Sequence, residues 1–144
     1  MIRILSAAVL LLAWIGNAQA YEVRAKSEST LTTAPELADL VHKIGDQVGN
    51  RIPQSEEIRV HVISQSKPRA DKPDSGEILY NHRVELRKLF NGDEAPYPMG
   101  GWLVIHTSET YGIGTAEKAR AELQNTIRKF FEDLKGIDPK TQAP

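Results

Sequence analysis

Gly100–Leu134, GGWLVIHTSETYGIGTAEKARAELQNTIRKFFEDL, is the stretch on which the reading of this 144-residue chain turns. Its first part, Trp102–Thr107, is short, apolar and β-branched, and predicts a buried strand. Tyr111-Gly112-Ile113-Gly114 then reads as a glycine-punctuated turn into a helix. Thr115 caps that helix and Glu117 sits in its first turn, where a carboxylate complements the helix dipole. Ala119, Leu123, Ile127, Phe130 and Leu134 follow at spacings of four, four, three and four, the stripe of a helix with one face on a core. Gly136 suits the position just past the helix end, and Pro139 prevents continuation.

The upstream segments are what this strand and helix need for cover. Glu77–Phe90 carries the clearest period of two. Ile78, Tyr80, His82, Val84 and Leu86 share one face, while Asn81, Arg83, Glu85 and Arg87 share the other. That pattern predicts a strand covered on one side only. Asn91-Gly92-Asp93 signals a turn after it, within a connection longer than a two-residue hairpin. Glu57–Ser64 predicts a strand with Ile58, Val60 and Val62 inward, and the proline-rich, charged Ser66–Ser75 an exposed loop. Thr33-Ala34-Pro35-Glu36 has the form of a capping box with a first-turn proline. Leu37, Leu40, Val41, Ile44 and Val48 continue it as one helical stripe ending near Gly49. Tyr21–Ser27 alternates Tyr21, Val23 and Ala25 against Glu22, Arg24 and Lys26, a half-buried first strand.

The order is β-α-β-β-β-α. The economical architecture is an α+β two-layer sandwich, with a mainly antiparallel sheet and both helices on one face. The other face stays open. It would carry Leu79, Ile63, Arg83, Glu85 and Arg87, with Leu103 or Ile105. Apolar groups among charges on an uncovered face suit contact with another subunit or partner.

The first twenty residues stand apart. Arg3 precedes an apolar run, Ile4–Ile15, and Ala18-Gln19-Ala20 places small residues at a cleavage site, the pattern of a secretory signal peptide. About a dozen apolar residues fall short of a bilayer core of ~30 Å. The expectation is a cleaved signal over 1–20, one domain over 21–136, a flexible tail over 137–144, and a periplasmic or secreted protein with no integral membrane segment after cleavage. A formal net charge of −1, with no long basic run, gives no general attraction to nucleic acid. The chain contains no cysteine. That excludes disulfides, thiolate catalysis, cysteine-bound zinc and lipid attachment at a cysteine.

Chemistry-bearing groups are sparse. His61, His82 and His106 fall on three successive strands and are the candidate metal ligands, although His61 is out of phase with its apolar neighbours. The amides around Gly112, Gly114 and Thr115 are candidates for an anion-binding nest, opposed by Glu117 where a third glycine would stand. No serine nucleophile elbow occurs, and no catalytic motif or cofactor requirement is found. In the connection Asn91–Gly101, Tyr97 and Met99 place interface-prone residue types between prolines. Leu79, Arg83, Arg87, Tyr97 and Met99 are therefore the candidate interface residues.

The order helix, three strands and C-terminal helix, with Trp102, Tyr111, Gly112 and Gly114, resembles small bacterial envelope proteins with folds like the amino-terminal domain of TolB. PelC-like proteins and accessory components of envelope transporters are of that type. Many such proteins are lipoproteins, whereas this chain has no cysteine to carry the lipid. The resemblance implies a non-catalytic part of a cell-envelope assembly with a protein partner or self-association. The alternative is a small periplasmic binding module for a metal ion or an anionic ligand.

Overall fold

The computed structural model describes residues 21–91 and 100–141. Four strands and two helices follow in the order β1 (Glu22–Glu28), α1 (Ala34–Val48), β2 (Ile58–Pro68), β3 (Ile78–Phe90), β4 (Gly101–Gly114) and α2 (Ala116–Asp133). The strands form one sheet in the order β1-β2-β3-β4. β2, β3 and β4 run as an antiparallel meander, whereas β1 pairs with β2 in parallel. A parallel pair needs a crossover, and α1 supplies it. α1 packs over β1 and β2, α2 over β3 and β4, and the helices touch each other. The molecule is an α+β two-layer sandwich.

Local chemistry fixes the ends of α1. The Thr33 hydroxyl accepts from the Glu36 amide, and Glu36 Oε2 accepts from the Thr33 amide at 2.8 Å, the reciprocal capping box. Gly49 closes the helix at φ 79°, and the amides of Gly49 and Asn50 both donate to the Gly45 carbonyl. Between these ends, Leu37, Val41 and Ile44 are buried. On α2 the whole predicted stripe is buried, and Phe131 and Thr126 are buried beside it.

The core lies between the helices and the inward positions of the sheet: Val60 and Val62 of β2, Val84 and Leu86 of β3. Tyr21, just before β1, is enclosed there with its ring 5.0 Å from His42 and 6.1 Å from Phe131. Gly45 makes this possible. A Cβ there would lie 2.5 Å from the Tyr21 hydroxyl and 2.8 Å from Phe131 Cζ, so the two rings press on bare helix backbone.

Three boundaries differ from the sequence reading. β2 runs on to Pro68, into the Ser66–Ser75 stretch expected as a loop. β4 runs to Gly114, so Tyr111–Gly114 is strand and not a turn. Neither Gly112 nor Gly114 has positive φ. Gly112 lacks a side chain because the Tyr80 ring covers it, and a Cβ would sit 2.6 Å from the Tyr80 hydroxyl. Past α2, Leu134–Gly136 forms a 3-10 turn, Ile137 packs on the core and Lys88 Nζ donates to the Lys140 carbonyl at 2.9 Å. Ile137 and Lys140, within the 137–144 segment expected as a flexible tail, thus each contact the domain. No helix among the described residues is long and apolar enough to cross a membrane.

Candidate binding face of the sheet

Because both helices lie on one side, the outward side chains of all four strands have no covering layer among the described residues. The register arranges them in cross-strand rows. Glu22, Arg59, Arg87 and Val104 form one row, followed by Arg24, His61, Glu85 and Thr107, then Lys26, Ile63, Arg83 and Glu109. Glu28, Gln65, Asn81 and Tyr111 come next, and Lys67, Leu79 and Ile113 end the series. Arg83, Arg87, Leu79 and Ile63 are thus on the open face, as their periodicity predicts. Leu103 and Ile105 are not. The ladder slips between Leu86 and Arg87: Leu86 faces His106 but Arg87 faces Val104, leaving Ile105 unpaired. This β-bulge reverses the phase of β4. Ile105 packs against the core, and Trp102 and Val104 take the open-face positions.

Glu85 sits at the centre of this face and is only 5% exposed. A carboxylate so enclosed requires compensation. Arg87 donates to Oε2 through Nε at 2.7 Å and Nη2 at 2.5 Å, and Arg83 Nε lies 3.1 Å from Oε1. His61 Nδ1 is 3.8 Å from Oε2, beyond hydrogen-bond reach, and has no hydrogen-bond partner among the described residues. Burial, aided by the Arg87 charge and opposed by Glu85, pushes the His61 pKa below its ordinary value. Toward the edges, Arg24 pairs with Glu22 and Lys26 with Glu28. Arg59 differs: it makes no ion pair among the described residues, its Nε is buried without an acceptor, and its guanidinium lies 3.8 Å over the Trp102 ring.

At the opposite end of the face a groove of about 620 Å³ opens between β2, β3 and β4. Leu79, Tyr111 and Ile113 form its apolar part, with Gln65, Lys67 and Asn81 around them. Tyr111 is 82% exposed and Ile113 43%. The sheet face therefore has a charged, arginine-rich end and an apolar end.

The other candidates lie elsewhere. His61 is on the open face, while His82 and His106 point into the core from β3 and β4, so the three histidines do not converge. His82 is fully enclosed and uses both ring nitrogens: Nε2 lies 2.9 Å from the Ala119 carbonyl and Nδ1 3.1 Å from the Ser64 hydroxyl. A carbonyl only accepts, so Nε2 carries the proton and Nδ1 accepts from Ser64. His106 rests against Phe130, 5.4 Å between ring centroids. No group of three or more histidines or carboxylates among the described residues could hold a metal ion. The proposed anion nest is likewise replaced by other partners. Gly112 lies under Tyr80, a Cβ on Gly114 would meet Lys118, and the Thr115 hydroxyl accepts from the Lys118 amide at 3.2 Å. Tyr97 and Met99 lie outside the described residues.

The sequence reading did not single out Arg59 as a site residue and read Trp102 as a strand residue of the apolar layer. A bulge has no periodic signature, so the phase change that brings them together was not readable from alternation. No family model matches the chain, and no curated protein matches it.

Proposed function

We propose that the protein is a non-catalytic component of a cell-envelope assembly that acts by protein–protein contact through the uncovered face of its sheet. The carrying observation is the groove at one end of that face, where Leu79, Tyr111 and Ile113 present apolar surface to solvent. A one-sided sheet ordinarily turns polar groups outward. An apolar end beside an arginine-rich end is instead suited to a partner with an apolar anchor and acidic surroundings. The signal-like residues 1–20 support an exported location. The resemblance to TolB-like envelope proteins supports the assembly role. An anionic-ligand module remains the second reading, favoured by Arg59, unpaired among the described residues, beside Arg87.

The test is site-specific photo-crosslinking in the native host, with the reactive group at Tyr111. A reproducible envelope partner, lost when Leu79→Glu places a charge in the groove, is the expected result. If crosslinks form only at a comparison position on α2 such as Arg128, or nowhere, the proposal fails.

A further inference from the structure

Arg59 and Arg87 stand directly opposite each other across β2 and β3. Like charges in that relation repel and cost stability unless something between them is negative. Arg87 is served by Glu85 on its own strand. Across the sheet from Arg59 is Glu22, but that carboxylate is engaged by Arg24. Every other arginine in the four central rows has a carboxylate within ion-pair distance.

Arg59 is also not a cation trailing into water. Its guanidinium carbon lies 3.8 Å over the Trp102 ring, and its Nε is out of solvent with no acceptor among the described residues. Burial lowers its pKa, with the Glu22 charge opposing that shift and the neighbouring Arg24 and Arg87 adding to it. The residues facing it are Glu22, Arg24, His61 and Arg87 from β1, β2 and β3, and Trp102 from β4. A guanidinium resting over an aromatic ring keeps its N–H donors directed outward from its own edges, where they can take a planar carboxylate.

We infer that Arg59, with Arg87 beside it and Trp102 beneath it, is a docking site for a carboxylate side chain on an acidic segment of a protein partner. This rests on the reading of the face as a protein-contact surface and names the partner's chemistry there. A polypeptide is favoured over a free anion because the site is open to solvent on one side. A lone small ion there competes with water and salt, whereas a segment adds contacts along the face. The adjacent row holds the internal precedent, since Glu85 already fills the same relation to Arg83 and Arg87.

The test uses the full chain with Trp14→Phe, which leaves Trp102 as its only tryptophan. Its fluorescence is titrated at low ionic strength with hexaglutamate, hexaglutamine and inorganic phosphate. Hexaglutamate should change the emission saturably. Arg59→Gln should weaken binding roughly tenfold or more, the loss of a charged hydrogen-bonding partner. Arg59→Lys, which keeps the charge without the fork, should weaken it less. Arg120→Gln on exposed α2 should leave binding within about twofold, as expected for a remote surface charge screened by salt. Unchanged thermal melting of the variants separates a lost site from a lost fold, and the titration of the unmutated site stands whatever the variants do.

Absence of a saturable change with hexaglutamate, or equal weakening by Arg120→Gln, overturns the inference. So does phosphate binding as tightly as the peptide at equal charge, which would make this a small-anion site. Tightened binding in Asp93→Asn/Glu94→Gln would overturn it too, by showing that the chain's own carboxylates satisfy Arg59. Tyr111 crosslinks that persist in Arg59→Gln would leave the protein-contact reading intact while removing this one.

Discussion

Replacing His82 with leucine should destabilise the protein by about 2–4 kcal/mol, and the structure says where that comes from. His82 is fully enclosed between the sheet and α2. It donates to the Ala119 carbonyl at 2.9 Å and accepts from the Ser64 hydroxyl at 3.1 Å, tying the first turns of α2 to two strands. Leucine fills a similar space but leaves the Ser64 hydroxyl, itself fully buried, with no acceptor. An orphaned buried hydroxyl costs about 1–3 kcal/mol, and the lost bond to Ala119 about 1 kcal/mol more. The Ala119 loss is the smaller because that carbonyl keeps its helical partner. The assay is urea denaturation near pH 7.5, run as a double-mutant cycle with Ser64→Ala. Ser64→Ala alone should destabilise by about 1–2 kcal/mol, since Nδ1 then has no donor. In the His82→Leu background the same change should be neutral or stabilising, giving a coupling of about 1 kcal/mol or more. A His82→Leu cost below about 0.5 kcal/mol, or strict additivity, would refute the hydrogen-bonded relay.

Three further outcomes are expected. All four histidines have pKa values lowered first by burial. Below the ordinary value of about 6.5 the unfolded chain therefore takes up protons that the folded chain refuses. Stability is complete above that value and falls as pH drops toward the folded-state values, with a limiting slope of about 1.4 kcal/mol per unit for each such histidine. Denaturation midpoints near pH 7.5 and pH 5.5 measure it, and His82→Leu should flatten the slope; an unchanged slope would contradict the assignment of His82 as a buried neutral ring. Glu85→Gln should cost about 1–2 kcal/mol, reduced from a fully buried pair because Arg83 is 42% exposed. That deficit should shrink with added salt in thermal melts. Gly112→Ala and Gly45→Ala should each destabilise by about 1–3 kcal/mol through overlap with aromatic rings, the latter despite alanine's better helix propensity, and an alanine that stabilises either position would show that the rings can yield.

Much of this arrangement was legible in the sequence, for identifiable reasons. The α2 stripe and the alternation of Ile78–Leu86 are strong periodic signals, and each put the right residues in the core. The capping box at Thr33 and Glu36 located the start of α1 because it is a local hydrogen-bonded device. What periodicity misses is contact between distant segments. A glycine inside a helix is locally unfavourable, yet Gly45 is the seat for Tyr21 and Phe131. Gly112 looked like a turn residue, yet it is strand backbone under Tyr80. In both cases the cause lies in a ring brought by another element. The candidate site divided in the same way. Leu79, Arg83 and Arg87 could be placed by counting in twos, whereas Arg59 and Trp102 meet only because β4 changes phase.

That bulge gives β4 one residue of slack. Deleting Ile105 would make the ladder regular without moving any pair, because Leu86 already faces His106 and Arg87 already faces Val104. Leu103 would stay opposite Lys88 on the inward side, and Trp102 would stay opposite Leu89 on the open face. The deletion removes only the contact that Ile105 makes with the core. The charged end of the face can therefore lose a residue of length and keep its aromatic floor, while the groove around Leu79 and Tyr111, beyond the slip, is untouched.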